Sequence, residues 1–428
     1  MSKPQTLFVA IAGFLVLILI LIFTGILPGL QPARTKVTLK VWEVGQYSIE
    51  NSLKLLKSAY PGVSYDIKKF DTMDAYENAL LEGFAVGSAP DIFMVSGENF
   101  PRFSNKISAA PQTGITLVQL RSIFPQVVEQ AFTLKGQIYA LPLSIDNLAL
   151  IYNKSLLGSA GIATPPKTWE ELQQDAPQII KKDAVGNIAI AAATLGGSAK
   201  SVTNAADILS IMMMQRGAVM VNETNTAATF ADAQGNEALS YYAQFADASS
   251  SVYTWNDALP FSIDAFSQEK AAMTFGYLDD VKRIKTRSPY LNFDVAPLPQ
   301  PKSLLDAGKL LTYPSLFGYA VSRQSPNYAT AWGVLIALTT NPENAQAYLD
   351  ETNTAPALLS LISGAQNNPQ LSVFTKQALI SKLWQKPNNT MVNNLFSSMI
   401  ENVNTKKLRT NDALYQAQSE INKLFIRQ

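Results

Sequence analysis

Cysteine and histidine are both absent from this sequence of 428 residues. Their absence excludes a cysteine nucleophile, a disulfide, a Cys/His zinc site and histidine-based acid–base chemistry. It also excludes a lipoprotein anchor, because that anchor is attached to an acylated cysteine. Any link between this chain and a membrane must therefore be made by the polypeptide itself.

Charged residues are scarce as well. They make up 16% of the chain, below the roughly 25% of an average soluble protein. The 34 basic and 33 acidic residues leave a net charge of +1 and form no basic cluster, so we expect no nucleic-acid partner. With 47% hydrophobic residues the chain has enough apolar side chains for sizeable cores, and its length predicts two or three domains.

A long apolar run is present near the amino terminus, from Leu7 to Leu27. Its 21 residues carry no charge, and as a helix they would span about 31 Å, which matches a bilayer core of roughly 30 Å. A signal peptide has a shorter apolar region of about 7–15 residues and a small-residue cleavage site, and the segment Ile26–Leu30 offers no good site. We therefore favour an uncleaved signal anchor with a linker up to residue 36 over a cleaved signal peptide. Basic residues flank both sides of the run, so the charge pattern alone leaves its orientation open.

Beyond residue 36 the sequence alternates between strand and helix patterns. This alternation is regular up to about residue 95 and predicts an α/β fold with parallel pairing of the strands. Strands return in the second half between segments with helical periodicity. The predicted strands are Val37–Trp42, Val63–Phe70, Asp91–Val95, Ala271–Phe275, Phe293–Ala296 and Phe317–Val321.

The stretch from Gly136 to Leu172 is the most informative part of the chain. Apolar strand patterns at Ile138–Leu143 and Leu148–Tyr152 are joined through Ser144-Ile145-Asp146-Asn147, which places a carboxylate inside a run that is otherwise typical of a fully buried strand. Such a carboxylate is costly unless it is paired, hydrogen-bonded or at a wet cleft. Further on, Thr168 followed by Glu171 predicts a capping box at the start of a helix.

This stretch resembles the crossover segment of the extracellular solute-binding proteins that feed sugar ABC importers, the group of maltose-binding protein. Other motifs resemble the same family: Gly87-Ser88-Ala89-Pro90-Asp91-Ile92, Ala265-Phe266 through Tyr277, Ala296-Pro297-Leu298-Pro299 and Phe317–Ser322. The resemblance covers roughly Val37 to the C terminus. It implies a two-lobed periplasmic-binding-protein-like α/β fold, a ligand cleft between the lobes, and a position of the C-terminal part on the extracytoplasmic face of the cell membrane.

The resemblance also implies three crossings between the lobes, so that each lobe is discontinuous in sequence. Its motifs place the crossings near Ile145–Leu148, Phe293–Ala296 and Glu351–Pro356. We therefore expect the anchor and linker at residues 1–36, lobe 1 at residues 37–145 and 296–350, and lobe 2 at residues 146–295 and 351–428.

A sugar site needs carboxylates and amides that bond hydroxyl groups, and aromatic rings that cover C–H faces. Asp146 at the first crossing is one candidate, and a cap on a local turn is its alternative role. Glu98, Asn99 and Gln46 follow predicted parallel strands, at the edge of the sheet where a crevice forms. The alternative is that they belong to a solvated loop without contact to a ligand. Family members commonly have an aromatic residue just before this acid, and Val95-Ser96-Gly97 supplies none.

Aromatic candidates lie in the second half of the chain. Trp255 and Asn256 belong to a turn-like aromatic and amide cluster, in which Trp255 would otherwise be a buried loop anchor. Tyr277 follows the Ala271–Phe275 strand, where family members often have a stacking ring. Phe317 and Phe396 complete the set, with a position in the core as the alternative for both.

The combination of these residues leads to one specific expectation. Asp146 and Trp255 should face a common cleft, with the acid holding hydroxyl groups and the indole covering a sugar ring. One or two acids with several aromatic rings favour an uncharged mono- or oligosaccharide.

The leading interpretation is binding without chemistry, with no catalytic residue, metal or cofactor. The chain would be a single-pass, membrane-tethered receptor that closes on a carbohydrate and passes it to an ABC permease. A tethered carbohydrate sensor or adhesion module without transport is an alternative that the sequence leaves open. A glycoside hydrolase that uses Glu98 and Asp146 as a carboxylate pair is a further alternative, from the class of enzymes.

Overall fold

The structure is a computed structural model that describes residues 36–426. The predicted anchor and most of its linker lie outside the described residues. Among the helices of residues 36–426, none has the length and apolarity needed to cross a bilayer.

Thirteen strands are present in the described part of the chain. Their bounds are β1 (Val37–Val44), β2 (Val63–Phe70), β3 (Ile92–Ser96), β4 (Ile107–Ser108), β5 (Thr133–Leu134), β6 (Gln137–Ile138), β7 (Ile145–Asn147), β8 (Ala149–Asn153), β9 (Lys181–Lys182), β10 (Ile188–Ala193), β11 (Ala271–Gly276), β12 (Phe293–Ala296) and β13 (Pro314–Ser322).

Helices occupy most of the remaining chain between residues 36 and 426. Their bounds are α1 (Glu50–Leu55), α2 (Met73–Val86), α3 (Phe100–Phe103), α4 (Leu117–Ile123), α5 (Gln126–Phe132), α6 (Lys154–Ser159), α7 (Trp169–Ile179), α8 (Ala205–Gln215), α9 (Ala233–Ala243), α10 (Ser262–Ser267), α11 (Leu278–Arg287), α12 (Lys302–Asp306), α13 (Tyr328–Thr340), α14 (Pro342–Thr352), α15 (Leu359–Ala365), α16 (Ser372–Gln377), α17 (Asn389–Asn404) and α18 (Thr410–Ile426).

The strands form two main sheets, and each sheet is the centre of one lobe. In lobe 1 the strand order is β2-β1-β3-β13-β4, with β7 also paired to β13. In lobe 2 the order is β12-β8-β11-β10-β9. β1 runs parallel to both β2 and β3, and β10 runs parallel to β11, as the strand–helix alternation of the sequence predicts. The protein therefore has a two-lobed α/β fold.

Burial follows from the position of each strand in its sheet. The side chains of Ile92–Val95 and of the whole of β11 are buried, because central strands of a sheet covered by helices on both faces have no solvent side. The helix α8 is also buried along nearly its entire length, and Met212, Met213 and Met214 fill the core of lobe 2. Because the faces of both sheets are buried, we expect a ligand site at the sheet edges.

The chain passes between the sheets at three places. β7 is bonded to β13 in lobe 1, and β8, which begins at Ala149, lies in lobe 2. β12 still belongs to the sheet of lobe 2 through Ala296, and the chain joins lobe 1 again as β13. After α14 ends at Thr352, Pro356 forms a bridge with Ser144 beside β7. The residue-level limits of the two lobes stay a prediction.

Local structure agrees with the sequence at one helix start and differs at one strand. The predicted capping box is confirmed, because Thr168 Oγ1 accepts from the Glu171 backbone N–H at 3.0 Å and Glu171 accepts in return from the Thr168 N–H. The predicted strand Ile138–Leu143 is wrong in its length, since β6 ends at Ile138. Leu141 instead forms an isolated antiparallel bridge with Tyr319 of β13. The segment is therefore fixed by a contact with a distant strand and does not continue as a regular strand.

Candidate ligand-binding cleft

A cleft of about 520 Å³ lies between the lobes. On the side of lobe 1 it is lined by residues that follow the carboxyl ends of β1, β2 and β3, the three parallel strands of that sheet. This is the edge at which open α/β sheets form crevices. Lobe 2 contributes residues from α8, from the end of β11 and from the start of α17. The lining residues are Val44, Gly45, Tyr47, Asp71, Met73, Ser96, Glu98, Asn204, Asp207, Tyr277, Pro314, Ser315, Leu316, Phe317 and Asn389.

The cleft combines acids, amides and aromatic rings. Among the aromatic residues, Tyr47 and Phe317 lie together on the lobe 1 side with ring centroids 5.6 Å apart. Tyr277 stands on the lobe 2 side, where it directly precedes α11. Rings of this kind cover apolar faces of a ligand, and the polar groups between them bond its edges.

Two acids from opposite lobes meet at a buried lysine at this cleft. Glu98 lies in the loop after β3, and Asp207 lies in the first turn of α8. Lys386 Nζ is 2.6 Å from Glu98 Oε1 and 3.6 Å from Asp207 Oδ1. Tyr313 donates its hydroxyl hydrogen to the same Glu98 oxygen, and Tyr277 donates to Asp207 Oδ2 at 2.9 Å.

Burial changes the acid–base behaviour of this group of side chains. Loss of solvation raises the pKa of Asp207 to about 6, the nearby Glu98 raises it as well, and Lys386 lowers it. Burial and the two acids also raise the pKa of Tyr277 and Tyr313 well above the ordinary value for tyrosine. Both phenols are therefore hydrogen-bond donors at neutral pH.

Asp146 lies next to the cleft, in a small adjoining cavity that it shares with Tyr47, Asp279 and Phe317. Its Oδ2 accepts from the backbone N–H of Leu278 at 2.9 Å, at the start of α11, and its Oδ1 accepts from its neighbour's N–H. Burial, followed by the charge of Asp279, raises the pKa of Asp146 to about 8. The Asp146 side chain thus bonds the start of a helix in lobe 2 from the crossing strand, and its contact with a ligand stays a prediction.

The structure places three of the predicted site residues at the cleft, namely Glu98, Tyr277 and Phe317. Asn99 is buried just behind it, where it donates to Glu77 at 2.8 Å and accepts from the Asn389 backbone. Gln46 belongs to the 3-10 turn at the end of β1, and its side chain lies outside the described part of the structure.

The remaining candidates are elsewhere, and here the expectation is corrected. Trp255 is 1% exposed in the core of lobe 2 and donates its indole N–H to Ser201 Oγ at 3.1 Å. It therefore does not share a cleft with Asp146. Asn256, next to it, donates to the Tyr253 hydroxyl and is not among the cleft residues. Phe396 is wholly buried against Phe230, because α17 packs that face onto lobe 2.

Several residues at or beside the cleft were not predicted from the sequence, above all Tyr47, Asp207, Tyr313 and Lys386. Asp207 stands between apolar residues of a buried helix, and this departure from an apolar pattern was an available signal. Lys386 lies among the polar and aromatic residues after α16, and nothing in its neighbourhood indicates that it is buried.

The family of the chain follows from comparison with known proteins. A family model described as bacterial extracellular solute-binding protein matches residues 56–345, which is more than half of the chain. The protein belongs to this family, and the resemblance drawn from its motifs is confirmed. It is accordingly a solute-binding protein and not an enzyme. Within the described residues, no cluster of acidic side chains is placed to hold a metal ion.

Individual relatives are similar over shorter stretches. The maltotriose-binding protein of Pyrococcus abyssi is 27% identical over 135 residues, which are 31% of this chain and 29% of that protein. The arabinooligosaccharide-binding protein of Halalkalibacterium halodurans is 24% identical over 137 residues, 31% of this chain and 28% of the relative. The matched part therefore spans less than a third of each of these relatives.

Solved structures are similar over nearly the whole chain. The sugar-binding protein MalE of Xanthomonas citri superimposes with a TM-score of 0.76 at 18% identity and covers 91% of this chain and 98% of its own. The cyclic alpha-maltosyl-1,6-maltose binding protein of Arthrobacter globiformis gives a TM-score of 0.75 at 18% identity, with 92% and 100% covered. These similarities show that the two-lobed fold is that of such binding proteins.

Proposed function

We propose that the protein is a membrane-tethered, extracytoplasmic solute-binding protein that captures a carbohydrate between its two lobes and delivers it to an ABC permease. The observation that carries this proposal is the composition of the cleft. Acids, amides and aromatic rings from both lobes surround one cavity of about 520 Å³, and this mixture suits a ligand with hydroxyl edges and apolar faces.

The ligand class is supported by the charge of the cleft and by the relatives. Asp71, Glu98 and Asp207 line the cleft, and no basic side chain lines it within the described residues, an arrangement that disfavours an anionic ligand. Two of the relatives are named for the sugars they bind, maltotriose and arabinooligosaccharides. A neutral oligosaccharide therefore fits both the chemistry and the family.

The anchor is the second part of the proposal. The apolar run Leu7–Leu27 is long enough to span a bilayer and carries no charge, and the chain has no cysteine that a lipid could modify. Tethering through this run would hold the cleft at the outer face of the membrane, within reach of a permease.

A thermal-shift screen of the full-length protein in detergent tests the ligand class. The panel contains maltotriose, arabino-oligosaccharides and cyclic alpha-maltosyl-1,6-maltose, with spermidine and glucose 6-phosphate as charged controls. A sugar present at about 100 times its Kd should stabilise the protein by about 2.7 kcal/mol. Stabilisation by a charged control with no response to any sugar would overturn the carbohydrate assignment.

Delivery to a permease needs its own measurement. The protein is reconstituted in liposomes with ABC permease and ATPase subunits from the same genome, and ATP hydrolysis is measured with and without the sugar that the screen identifies. Sugar-dependent stimulation is expected. Binding of sugar without any stimulation would contradict the transport role.

A further inference from the structure

The segment from Lys382 to Asn388, which we call the strap, contacts both lobes beneath the cleft. On the side of lobe 1, the Lys386 backbone N–H donates to the Glu98 carbonyl at 2.7 Å. The Gln385 side chain donates to the carbonyl of Gln130 at 3.2 Å. On the side of lobe 2, the Trp384 indole donates to Ser210 of α8 at 3.2 Å.

The ammonium group of Lys386 is the polar centre of the strap. Its side chain has no exposed surface, and it lies between Glu98 and Asp207 at the distances given above. Nζ also donates to the side-chain oxygens of Asn389 and Asn393 at 3.0 and 3.2 Å. The Trp384 and Tyr313 rings lie 5.4 and 5.6 Å from Nζ, which adds favourable cation–π contact.

The two acids that contact Lys386 belong to different lobes, so the lysine forms an ion pair across the interface between the lobes. Without a cation between them, the approach of Glu98 to Asp207 would bring two negative charges together in a poorly solvated place, and one acid would take up a proton. Lys386 between them offsets this repulsion with a positive charge while the lobes are together. A buried ammonium in turn needs such partners, because an unpaired buried charge is strongly unfavourable.

Both acids can also accept hydrogen bonds from a ligand in the cleft. Their side chains are 13% and 19% exposed, and both residues line the cleft. Glu98 Oε2 has no hydrogen-bond partner among the described residues, since Tyr313 and Lys386 both bond Oε1. The ligand would therefore meet acceptors whose positions are set by a lysine that it does not touch.

We propose that Lys386 is the positioning residue of the cleft: it holds Glu98 of lobe 1 and Asp207 of lobe 2 as a pair of charged hydrogen-bond acceptors and thereby couples ligand recognition to the approach of the two lobes. The proposal rests on the proposed function of the cleft as the ligand site. Its structural part, the holding of two lobes through one ammonium group, is open to test without any ligand.

The first experiment measures the distance between the lobes. Because the chain has no cysteine, Val118→Cys in lobe 1 and Val185→Cys in lobe 2, both at exposed positions, provide the only two sites for spin labels. Electron–electron double resonance of the full-length protein in detergent should show a shift to longer distances for Lys386→Met and a distribution close to the parent for Lys386→Arg. Lys154→Met, which removes a solvent-exposed ion pair with Asp294, is the matched control and should match the parent.

A Lys386→Met protein that folds and shows the parental distance distribution would overturn the proposal. If Lys386→Met does not fold, Asp207→Asn removes the lysine's partner in the other lobe at nearly constant shape. It should lengthen the distance in the same way, and an unchanged distribution for Asp207→Asn would equally overturn the proposal.

The second experiment measures affinity against pH with maltotriose, or with whichever sugar of the panel stabilises the protein. The titratable groups around Nζ are Glu98, Asp207, Tyr277 and Tyr313. Affinity of the parent should fall on acidification with a midpoint near pH 6, where Asp207 takes up a proton. The midpoint should move upward in Lys386→Met by at least one pH unit, stay near the parent in Lys386→Arg, and disappear in Asp207→Asn.

The two experiments separate this proposal from the proposed function. If no sugar binds, the carbohydrate assignment fails, while the distance measurement still decides the role of Lys386. If a sugar binds and Lys386→Met leaves the midpoint unchanged, the lysine is only a structural ion pair and this proposal fails alone.

Discussion

Tyr47 of lobe 1 and Asp279 of lobe 2 are joined by a hydrogen bond of 2.8 Å from the tyrosine hydroxyl to Oδ2 of the carboxylate. Tyr47 lies in the 3-10 turn that ends β1, and Asp279 lies in the first turn of α11. The Tyr319 hydroxyl donates to the Tyr47 carbonyl at 2.6 Å and holds this turn against β13. One edge of the cleft is therefore closed by side chains from both lobes.

Tyr47→Phe should weaken sugar binding while preserving the ring that lines the cleft. Loss of one partly buried hydrogen bond costs about 0.5–1.5 kcal/mol, which is about a 2- to 10-fold increase in Kd. Isothermal titration calorimetry with the sugar found in the screen measures this change. Tyr139→Phe, which loses only an exposed bond to Gln137, is the control, and equal affinity of both variants would show that the lobe contact does not support binding.

Glu98→Gln should weaken binding more strongly. The amide keeps the shape and one acceptor but removes the charge that strengthens hydrogen bonds to sugar hydroxyls, a loss of about 1.5–3 kcal/mol. The control is Glu129→Gln, since Glu129 pairs with Arg121 at the surface of lobe 1. A Glu98→Gln protein that binds like the parent would exclude Glu98 from the ligand site.

Trp255→Ala should reduce stability rather than affinity. The side chain is fully buried in lobe 2, and truncation of a large core aromatic costs about 3–5 kcal/mol of unfolding free energy. Denaturation by guanidinium measures the loss, and Phe261→Ala at an exposed position serves as the control. A variant that is as stable as the parent but binds sugar more weakly would contradict this prediction. It would show that Trp255 contacts the ligand.

The pH dependence of stability should report on Asp146. The pKa of this group is about 8 in the folded protein against an ordinary 3.8, so between these values the folded state holds a proton that the unfolded state has lost. Its contribution to stability is therefore present at acidic pH and is lost as the pH rises through 8. Asp207, with a pKa of about 6, acts in the same direction.

Asp146→Asn removes this dependence while keeping an oxygen for the Leu278 N–H. The difference in unfolding free energy between pH 5 and pH 8 should be smaller in Asp146→Asn than in the parent, with Asp207 still supplying part of it. Asp66→Asn, at an exposed position of β2, should leave the difference unchanged. If the difference in unfolding free energy between pH 5 and pH 8 is the same in Asp146→Asn as in the parent, Asp146 is ionised in the folded protein.

The anchor should remain on the mature protein. Mass spectrometry of the membrane fraction is expected to find the chain with Leu7–Leu27 intact, because the run is longer than a typical signal peptide and no good cleavage site follows it. Deletion of residues 1–35 should release the protein from the membrane fraction. An N terminus beyond Pro28 in the membrane fraction would show that the segment is a cleaved signal peptide.

The parts of the fold that the sequence predicted depend on neighbouring residues. The strand Val63–Phe70 and the strand Phe293–Ala296 have the predicted bounds, since alternation and apolar runs act over a few positions. The capping box at Thr168 is equally local. The strand predicted at Ile138–Leu143 failed because its backbone groups bond a distant strand, which no local pattern encodes.

The site divides in the same way. Glu98 and Tyr277 could be predicted because each follows a central strand, and the edge of a sheet is a consequence of strand order. Trp255 and Phe396 could not be separated from ligand-binding aromatics, because the burial of a ring depends on partners such as Ser201 and Phe230 that lie far away in the chain.

The sequence by itself determined the α/β class, the family and the sheet-edge positions of Glu98 and Tyr277, because periodicity, turn chemistry and motifs are properties of adjacent residues. Only the tertiary structure decided which side chains face the cleft. It brings Glu98, Asp207 and Lys386 together from three distant segments, and a charge can be buried there only because packing supplies its counter-charges at the same point in space.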